Sequence, residues 1–326
     1  MSDVAELAGV SPSTVSRALR SPGVVSPELR ARIDSAIERL AYVPNQMAGG
    51  LAASRTRSVG VIVPSLINSF FAATIEAMET GFESQGYQIM LGNSGYSLER
   101  EEALIASFLS WSPSAIVLTG RHHSRSTLKR LASCDMPVVE MWEIGEQCFD
   151  TAVGFSHRAA GQAAAHHLYQ RGRQNIAFIG SALDADRRAN ERCAGFQDAV
   201  RAAGKNVISS TPAQRASVEV GGGALAALLA TNTDIDGIFF SNDALMLGAL
   251  FECQRRGITV PDDLSLIGFG DMDFTAWATP TLSTIRPPHS EIGHAVANHL
   301  LRRFADPSIG CEVIDLGFEL IARQST

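Results

Sequence analysis

Short apolar runs rich in β-branched and aromatic residues alternate with longer helical stretches through most of this chain. The runs are Val59–Val63, Tyr87–Leu91, Ala115–Thr119, Val138–Met141, Asn175–Gly180, Gly237–Phe240 and Leu264–Phe269. Strands that alternate with helices of this length form βαβ units, which place the strands in a parallel sheet. The region is long for one open sheet. We therefore predict an α/β fold with two doubly wound lobes and a cleft between them.

The first 40 residues have a different pattern, that of short helices. One helix runs from Asp3 to Gly9, and serine-proline pairs at Ser11 and Ser26 begin two more. Serine followed by proline favours a helix start, because the serine side chain caps a free amide and proline fits the first helical position. The three helices are predicted to share one small core that contains Val4, Val15 and Leu19.

The first two helices are spaced like a helix-turn-helix, in which the second helix presents its first turn to the DNA major groove. Gly9 permits the sharp turn between them. The side chains predicted to face the groove are Ser13, Thr14, Ser16 and Arg17. Arg17 is the strongest candidate for a base contact, because a guanidinium can bond guanine O6 and N7 together. From spacing alone, a helical bundle with a solvated polar face is the alternative.

Charge is distributed unevenly along the chain, whose net charge is −7. Residues 1–58 carry seven Arg and five acidic residues, a net +2, which leaves −9 for the remainder. An acidic body with a basic amino end is expected where only that end contacts phosphates.

Residues 44–58 separate the two patterns and include adjacent glycines at 49 and 50. Each glycine costs about 1 kcal/mol relative to alanine within a helix, so this segment is a weak helix former. We therefore predict three parts: a helix-turn-helix headpiece over residues 1–43, a hinge over 44–58 and a two-lobed body over 59–326.

Composition argues against membrane and secreted proteins. The sequence has no run of about 18 apolar residues and no basic start followed by an apolar stretch. Its five cysteines are an odd number without close pairing, which favours a reduced cytosolic protein over a disulfide framework. We expect a cytoplasmic protein.

Motifs of common enzyme classes are missing from the sequence. It has no phosphate-binding loop, nucleophile elbow or metalloprotease helix, and Gly221-Gly-Gly223 lacks the spacing of a dinucleotide fingerprint. Histidines 122–123 and 166–167 are adjacent pairs, and His294 and His299 do not have the helical spacing of a metal-binding pair. We predict no catalytic residue, no metal and no cofactor. An enzyme and a periplasmic-type sugar-binding protein are the alternatives from other classes.

The amino end resembles the lactose-repressor (LacI) family of bacterial transcription regulators. The resemblance lies in Asp3-Val-Ala-Glu-Leu-Ala-Gly-Val-Ser-Pro-Ser-Thr-Val-Ser-Arg17, Val25-Ser26, Ala41-Tyr-Val-Pro-Asn45, Ala48 and Leu51. It continues to near Leu316-Gly-Phe318. It implies a homodimer that binds palindromic double-stranded operator DNA, and a periplasmic-binding-protein-like body that binds a small effector. The family usually has residues upstream of Asp3, so the native start is expected to lie before Met1.

The resemblance also implies which residues contact DNA. These are Ser11, Pro12, Ser13, Thr14, Ser16, Arg17, Asn45, Ala48 and Leu51. In the family, the segment matching residues 45–52 folds into a hinge helix on the operator, and the leucine matching Leu51 enters the minor groove as a wedge. Neither Pro12 nor Ser13, at the variable base-reading pair, offers the bidentate bonding that would predict an operator base.

Effector contacts are implied in the cleft between the lobes. The matching positions are Asn68, Phe70, Phe71, Thr119, Arg121, Phe155, Arg192, Asn242 and Asp271. Gly270 stands where the family often has an aspartate that binds sugar hydroxyls. A cleft that lacks this carboxylate but contains Arg192 and Arg121 favours a ligand with its own carboxylate.

Further stretches resemble the gluconate-responsive members of the family. They include Ser110-Trp-Ser, Pro137-Val-Val-Glu140, Ala152-Val-Gly-Phe155 and Phe251-Glu-Cys-Gln-Arg255. This resemblance implies a repressor of sugar-acid catabolism genes that gluconate releases from DNA. The alternatives are 2-ketogluconate, 6-phosphogluconate or another sugar as effector, and action as a corepressor-dependent regulator or an activator. The carboxyl end stops soon after Phe318, which favours a dimer over a tetramer.

Overall fold

The computed structural model describes residues 1–20, 22–42, 56–67 and 69–326. Two compact units are present: residues 1–57 with 108–114, and residues 58–107 with 115–326. The predicted hinge residues Asn45, Ala48 and Leu51 lie outside the described residues, as does the predicted effector residue Asn68.

The first unit contains the three predicted helices. They are α1 (Ser2–Ala8), α2 (Pro12–Arg20) and α3 (Pro27–Arg39). Ser11 Oγ accepts a hydrogen bond from the Thr14 amide at 3.2 Å, and Ser26 Oγ accepts one from the Leu29 amide at 3.3 Å. Gly9 ends α1 in the left-handed conformation, with φ of 63°. The capping and turn chemistry predicted from the sequence is therefore confirmed.

A small apolar core joins these helices. Val4 and Val15 are fully buried, and Leu19 packs against the same cluster, as predicted. Arg32, which the helical pattern places on the solvated face of α3, instead donates to the Ala8 carbonyl. A positive charge at the carboxyl end of α1 also interacts favourably with the helix dipole and stabilises the helix.

The second unit contains two sheets, which define two lobes. The sheet of lobe 1 comprises β1 (Ser58–Val63), β2 (Gln88–Asn93), β3 (Ala115–Thr119), β4 (Val138–Met141), β5 (Thr151–Gly154) and β11 (Val313–Asp315). Its order is β11-β5-β4-β3-β1-β2, with every pair parallel.

The sheet of lobe 2 repeats this arrangement. It comprises β6 (Ile176–Ile179), β7 (Ile208–Ser210), β8 (Gly237–Phe240), β9 (Ser265–Phe269), β10 (Ser283–Arg286) and β12 (Glu319–Ile321). Its order is β12-β10-β9-β8-β6-β7, and only the edge pair of β10 and β12 is antiparallel.

Helices cover both sheets. They are α4 (Ser69–Glu83), α5 (Leu98–Leu109), α6 (Arg125–Ala132), α7 (His157–Gln170), α8 (Arg187–Ala202), α9 (Val218–Thr231), α10 (Asp243–Arg256) and α11 (His289–Ala305). The chain passes between the lobes after β5, β10 and β11. The predicted α/β fold with two doubly wound lobes is confirmed.

Glycines allow two helix pairs of lobe 2 to approach closely. A Cβ built on Gly195 of α8 would lie 1.9 Å from the Arg158 carbonyl oxygen of α7, and one on Gly161 of α7 would lie 2.0 Å from the Arg192 oxygen. A Cβ on Gly221 of α9 would lie 2.0 Å from the Leu245 oxygen. The glycine run at residues 221–223 therefore includes a helix-packing position.

A buried charged cluster lies in lobe 1. His123 Nδ1 is 2.8 Å from Glu101 Oε1, and its Nε2 is 3.6 Å from Glu140 Oε1. Burial alone would lower the pKa of His123, but the two carboxylates outweigh it and raise the pKa to about 9. These contacts give His123 a structural role.

The raised pKa of His123 predicts a pH-dependent stability. The folded protein binds this proton more tightly than the unfolded chain, so the stabilisation is complete below the ordinary pKa of 6.5 and is lost as pH rises through about 9. We expect the free energy of unfolding of the second unit to fall by on the order of 3 kcal/mol across this window. Thermal unfolding experiments between pH 6 and 10 measure this loss of stability.

His123→Gln removes the titrating group and should flatten this pH dependence. His122→Gln is the matched control, because His122 is the neighbouring residue and is exposed. An unchanged slope in His123→Gln would contradict the assignment.

Candidate effector cavity and DNA-reading face

The exposed side of α2 forms a polar surface in the first unit. Val15 and Ala18 face the core, so Ser13 and Arg17, one helical turn apart, point outward and are exposed. We call the exposed side chains of Ser13 and Arg17, with Pro12, the reading face. Ser11 is exposed before the helix, and Thr14 and Ser16 are partly exposed. The predicted DNA contacts within α2 therefore lie at its amino-terminal turns.

A cavity of about 190 Å³ lies between the two lobes of the second unit. A single water needs roughly 10–15 Å³, so the cavity has room for a small molecule. Lobe 1 and its connections contribute Ser65, Ile67, Phe70, Phe71, Gly95, Tyr96 and Trp142. Lobe 2 contributes His157, Ser181, Ala182, Ala185, Asp186, Arg188, Arg192, Arg215, Ala216, Asn242 and Phe269.

Arg192 is the most constrained cation in the cavity wall. It is 4% exposed, and one Nη donates to the Ser241 carbonyl oxygen at 2.9 Å. Its guanidinium lies 3.8 Å from the centre of the Phe269 ring, in cation–π geometry. Burial lowers the pKa of Arg192 to about 10, which leaves it charged at neutral pH. Its buried Nε has no hydrogen-bond partner within the described chain.

The second Nη of Arg192 reaches His157, the first residue of α7. His157 Nδ1 lies 2.9 Å from this nitrogen, and His157 Nε2 lies 2.8 Å from the Trp142 carbonyl oxygen. Burial lowers the pKa of His157 well below its ordinary value, and the positive charges of Arg192 and Arg188 lower it further. His157 is therefore neutral.

Aromatic rings form the wall of the cavity in lobe 1. The Phe70 ring centre lies 5.1 Å from that of Trp142, and His289 stacks 5.7 Å from Trp142. Trp142 adopts a φ of 72°, which is uncommon outside glycine. Its buried Nε1 lacks a hydrogen-bond partner in the part of the chain described. Rings supply apolar faces for a carbon skeleton, and an indole N–H is available as a donor.

Two further arginines give the cavity a positive character. Arg188 is 9% exposed and donates to the Thr119 carbonyl oxygen at 3.3 Å. Arg215, from lobe 2, donates to the Gly95 carbonyl oxygen of lobe 1 at 3.0 Å. The lining residues thus include three arginines and one carboxylate, that of Asp186.

Tyr96 completes the polar part of the wall. Burial raises its pKa to about 12, and the nearby charge of Asp186 contributes to the rise, so the phenol stays protonated. It adopts a φ of 64° in the turn after β2. Its hydroxyl is a hydrogen-bond donor and acceptor suited to sugar hydroxyls.

Four of the predicted effector residues line this cavity: Phe70, Phe71, Arg192 and Asn242. The Asn242 side chain also accepts a hydrogen bond from the Leu245 amide at 3.1 Å, which caps α10. Thr119 and Arg121 line a neighbouring cavity of about 130 Å³, and Tyr96, Ala185 and Arg188 belong to both cavities. Arg121 donates to the Gln147 carbonyl and is not among the described residues that line the main cavity.

Phe155 and Asp271 are not among the residues that line the main cavity. Phe155 is fully buried, and its ring lies 4.5 Å from that of His157, so it supports the wall from within the core. Asp271 accepts hydrogen bonds from Arg286 at 2.6 Å and forms an ion pair with Arg323 at 2.8 Å. Its carboxylate is therefore already occupied by partners of lobe 2.

The structure also gives a physical reason for a glycine at position 270, where the family resemblance leads us to expect an aspartate. Gly270 has a φ of 129°, a conformation that strains other residues. A Cβ there would lie 3.4 Å from Asp243 Oδ2. Asp243 is fully buried, and burial raises its pKa to about 7. A second carboxylate at position 270 would add like-charge repulsion.

Several residues that line the cavity are not predicted from the sequence, namely Tyr96, Trp142, His157, Arg188 and Arg215. Arg188 stands four residues before Arg192, so helical spacing on α8 was an available signal. Tyr96 and Trp142 carry no such signal, because each adopts a positive φ after a strand, Tyr96 in a turn and Trp142 in a bend. The sequence does not reveal those conformations.

Among the described residues, no group of three or more His, Cys, Asp or Glu side chains is arranged to hold a metal ion. Within those same ranges, every helix is too short or too polar to span a membrane.

Two family models match the chain. The model described as "Bacterial regulatory proteins, lacI family" matches residues 1–45, and the one described as "Periplasmic binding protein-like domain" matches residues 165–326. The first covers α1 to α3 of the headpiece. The second covers the whole sheet of lobe 2, helix α11 and strand β11 of lobe 1.

Whole-length relatives agree with these matches. The HTH-type transcriptional regulator GntR of Pseudomonas aeruginosa is 39% identical to the chain over 331 residues, which covers 100% of this chain and 95% of the relative. The HTH-type transcriptional regulator GntR of Escherichia coli is 36% identical over 320 residues and covers 98% and 96%.

A solved structure supports the same assignment. The crystal structure of a LacI-family transcriptional regulator from Silicibacter pomeroyi superposes with a TM-score of 0.93 at 32% identity, and the match covers 99% of this chain and 98% of that one. The chain therefore belongs to the LacI family and is a DNA-binding transcriptional regulator with an effector-binding body.

Proposed function

We propose that this regulator binds a palindromic operator as a homodimer and releases it when a sugar acid of the gluconate type occupies the cavity. The observation that carries the proposal is the charge of the wall, whose described residues include three arginines, Arg188, Arg192 and Arg215, and one carboxylate, that of Asp186. An anionic ligand is favoured by such a wall, and arginine suits bidentate carboxylate binding.

The remaining chemistry of the cavity fits a hydroxylated carbon chain. Phe70 and Trp142 offer apolar faces, while Tyr96 and Asn242 carry groups that bond hydroxyls. Gluconate combines one carboxylate with such a chain. Resemblance to gluconate-responsive relatives supports the same ligand class.

For DNA binding, we propose that the reading face of α2 contacts bases in the major groove. Arg17 is exposed on α2 one helical turn after Ser13, where a guanidinium can reach a guanine edge. Residues Asn45, Ala48 and Leu51 are proposed to act in the hinge by the family resemblance alone.

The test follows labelled operator DNA by fluorescence anisotropy while gluconate is added. We expect operator affinity to fall by about 5- to 150-fold, the range of a typical allosteric coupling. Glucitol, which has the same carbon chain without the carboxylate, is the matched ligand and should have no effect. Arg17→Ala is the protein control: it should bind gluconate normally but hold the operator about 1–3 kcal/mol more weakly.

Other outcomes identify the alternatives. Release by 2-ketogluconate or 6-phosphogluconate but not by gluconate would refute gluconate as effector while retaining an anionic ligand. Tighter operator binding on gluconate addition would make the ligand a corepressor. Release by glucitol alone would overturn the charge argument.

We further infer that the protein works in the cytoplasm as a binding protein without catalysis or a cofactor. The names of its relatives, which are transcriptional regulators, support this inference. Incubation with gluconate and either ATP or NAD should leave the sugar acid unchanged. Measurable turnover would contradict it.

A further inference from the structure

We propose that His157 is a positioning residue that holds Arg192 in the effector cavity and links it to Trp142 on the opposite lobe. The identity of the effector rests on the proposed function above. The hydrogen bonds that connect Trp142, His157 and Arg192 are here called the Trp142–Arg192 link.

The donors and acceptors of the link can be assigned from chemistry alone. The Trp142 carbonyl oxygen only accepts, so His157 Nε2 carries the hydrogen at 2.8 Å. The Arg192 guanidinium only donates, so His157 Nδ1 is the acceptor at 2.9 Å. Both bonds form together only in one neutral tautomer, with the hydrogen on Nε2.

The position of His157 allows it to contact residues of both lobes. It is the first residue of α7, directly after the chain leaves lobe 1, and the Ser156 side chain caps that helix at the Ala159 amide. Trp142 follows β4 of lobe 1, while Arg192 belongs to α8 of lobe 2. His157 therefore joins a residue of each lobe across the cavity wall.

The orientation of Arg192 depends on few groups. The Ser241 carbonyl and His157 each accept from one Nη, and Phe269 covers one face of the guanidinium. Without the imidazole acceptor, a buried cation would lose one of these two hydrogen bonds and its fixed orientation. An effector carboxylate would then have to orient the guanidinium on binding, which weakens affinity.

Three substitutions of His157 test its hydrogen bonds to Arg192 and to Trp142 separately. His157→Asn places an amide oxygen near the position of Nδ1 and keeps the acceptor for Arg192, whereas His157→Gln places its amide near Nε2 and keeps the bond to Trp142. His157→Phe preserves an aromatic ring, which packs beside Phe155 and Phe269, without either bond.

Calorimetry with gluconate tests the role at Arg192. We expect His157→Phe and His157→Gln to bind gluconate at least tenfold more weakly, and His157→Asn to remain within about threefold of wild type. A structural role alone would not be rescued by asparagine in this way. Wild-type gluconate affinity in His157→Phe would overturn the proposal.

A second measurement needs no effector. A double-mutant cycle combines His157→Phe with Arg192→Met and follows unfolding in urea. We expect non-additive effects, with a coupling of at least tenfold in the unfolding equilibrium constant. Additive effects would overturn the proposal, whatever ligand the protein binds. Coupling without gluconate binding in wild type would instead refute the proposed effector and retain the Trp142–Arg192 link.

Discussion

Arg192→Met is expected to leave operator binding intact and to abolish release by the effector. The substitution removes the buried cation that faces an effector carboxylate, and it leaves the His157 and Ser241 acceptors without their donor. Methionine keeps an unbranched stem that can pack on Phe269. We expect gluconate affinity to fall by at least about 100-fold, which corresponds to about 3 kcal/mol for a lost charge-assisted pair.

Anisotropy of labelled operator, with and without gluconate, measures both properties in one sample. Arg201→Met is the matched control, because Arg201 is at the far end of the same helix with its side chain 60% exposed. That control should respond to gluconate like wild type. If Arg192→Met still releases the operator at the wild-type gluconate concentration, Arg192 does not hold the effector.

The same experiment has a thermodynamic counterpart. Gluconate can shift the equilibrium between lobe arrangements only through unequal affinity for them, and operator DNA must then weaken gluconate binding by the same factor. Calorimetry with operator-bound wild-type protein measures that factor. Equal gluconate affinity with and without operator would exclude gluconate as an inducer.

Gly195→Ala is expected to have the largest effect on stability. The added Cβ would lie 1.9 Å from the Arg158 carbonyl oxygen, a backbone atom that cannot rotate away. Helices α7 and α8 would have to separate, and overpacking of this kind costs about 3 kcal/mol or more. Because Arg192 stands one turn earlier on α8, we also expect weaker gluconate binding.

Gly223→Ala is the matched control within another helix of the same lobe. Apart from its chain neighbours and the backbone of α9, no atom of the described residues lies within 4 Å of a Cβ built there, so alanine should stabilise α9 by up to about 1 kcal/mol. Thermal unfolding compares both variants with wild type. A Gly195→Ala protein as stable as wild type would show that α7 and α8 can separate without cost.

Much of the local structure followed from patterns in the sequence. The runs Ala115–Thr119, Val138–Met141 and Gly237–Phe240 are strands with the predicted ends. The serine caps and Gly9 set the headpiece helices as expected. In each case the cause is local: β-branched and apolar side chains favour a buried strand, and serine or glycine satisfies a helix end.

Several short strands at or near the sheet edges are not predicted from the sequence, because their formation does not depend on local patterns. Ile208–Ser210, Val313–Asp315 and Glu319–Ile321 are three residues each, and Ser283–Arg286 is mostly polar. Such segments carry little hydrophobic periodicity. They become strands because a neighbouring strand pairs with their backbone, which is a long-range contact.

The residues of the effector cavity likewise fall into two groups, those predicted from the sequence and those that only the structure revealed. Arg192 was assigned by resemblance, and it lines the cavity. Trp142 and Tyr96 reach the wall through turns with positive φ, and His157 reaches Arg192 across 35 positions of sequence. Arg121 matched the family pattern too, yet its guanidinium bonds the Gln147 carbonyl beside the neighbouring cavity.

The sequence by itself determined the helix-turn-helix, the alternation of strands and helices and the family of this protein, because these depend on neighbouring residues and their spacing. Only the tertiary structure decided which side chains meet between the lobes. That choice depends on how closely the helices pack, where Gly161 and Gly195 bring α7 against α8, and on hydrogen bonds between distant segments such as His157 and Arg192. Burial then set the protonation state of His157, because desolvation acts only after the lobes have enclosed it.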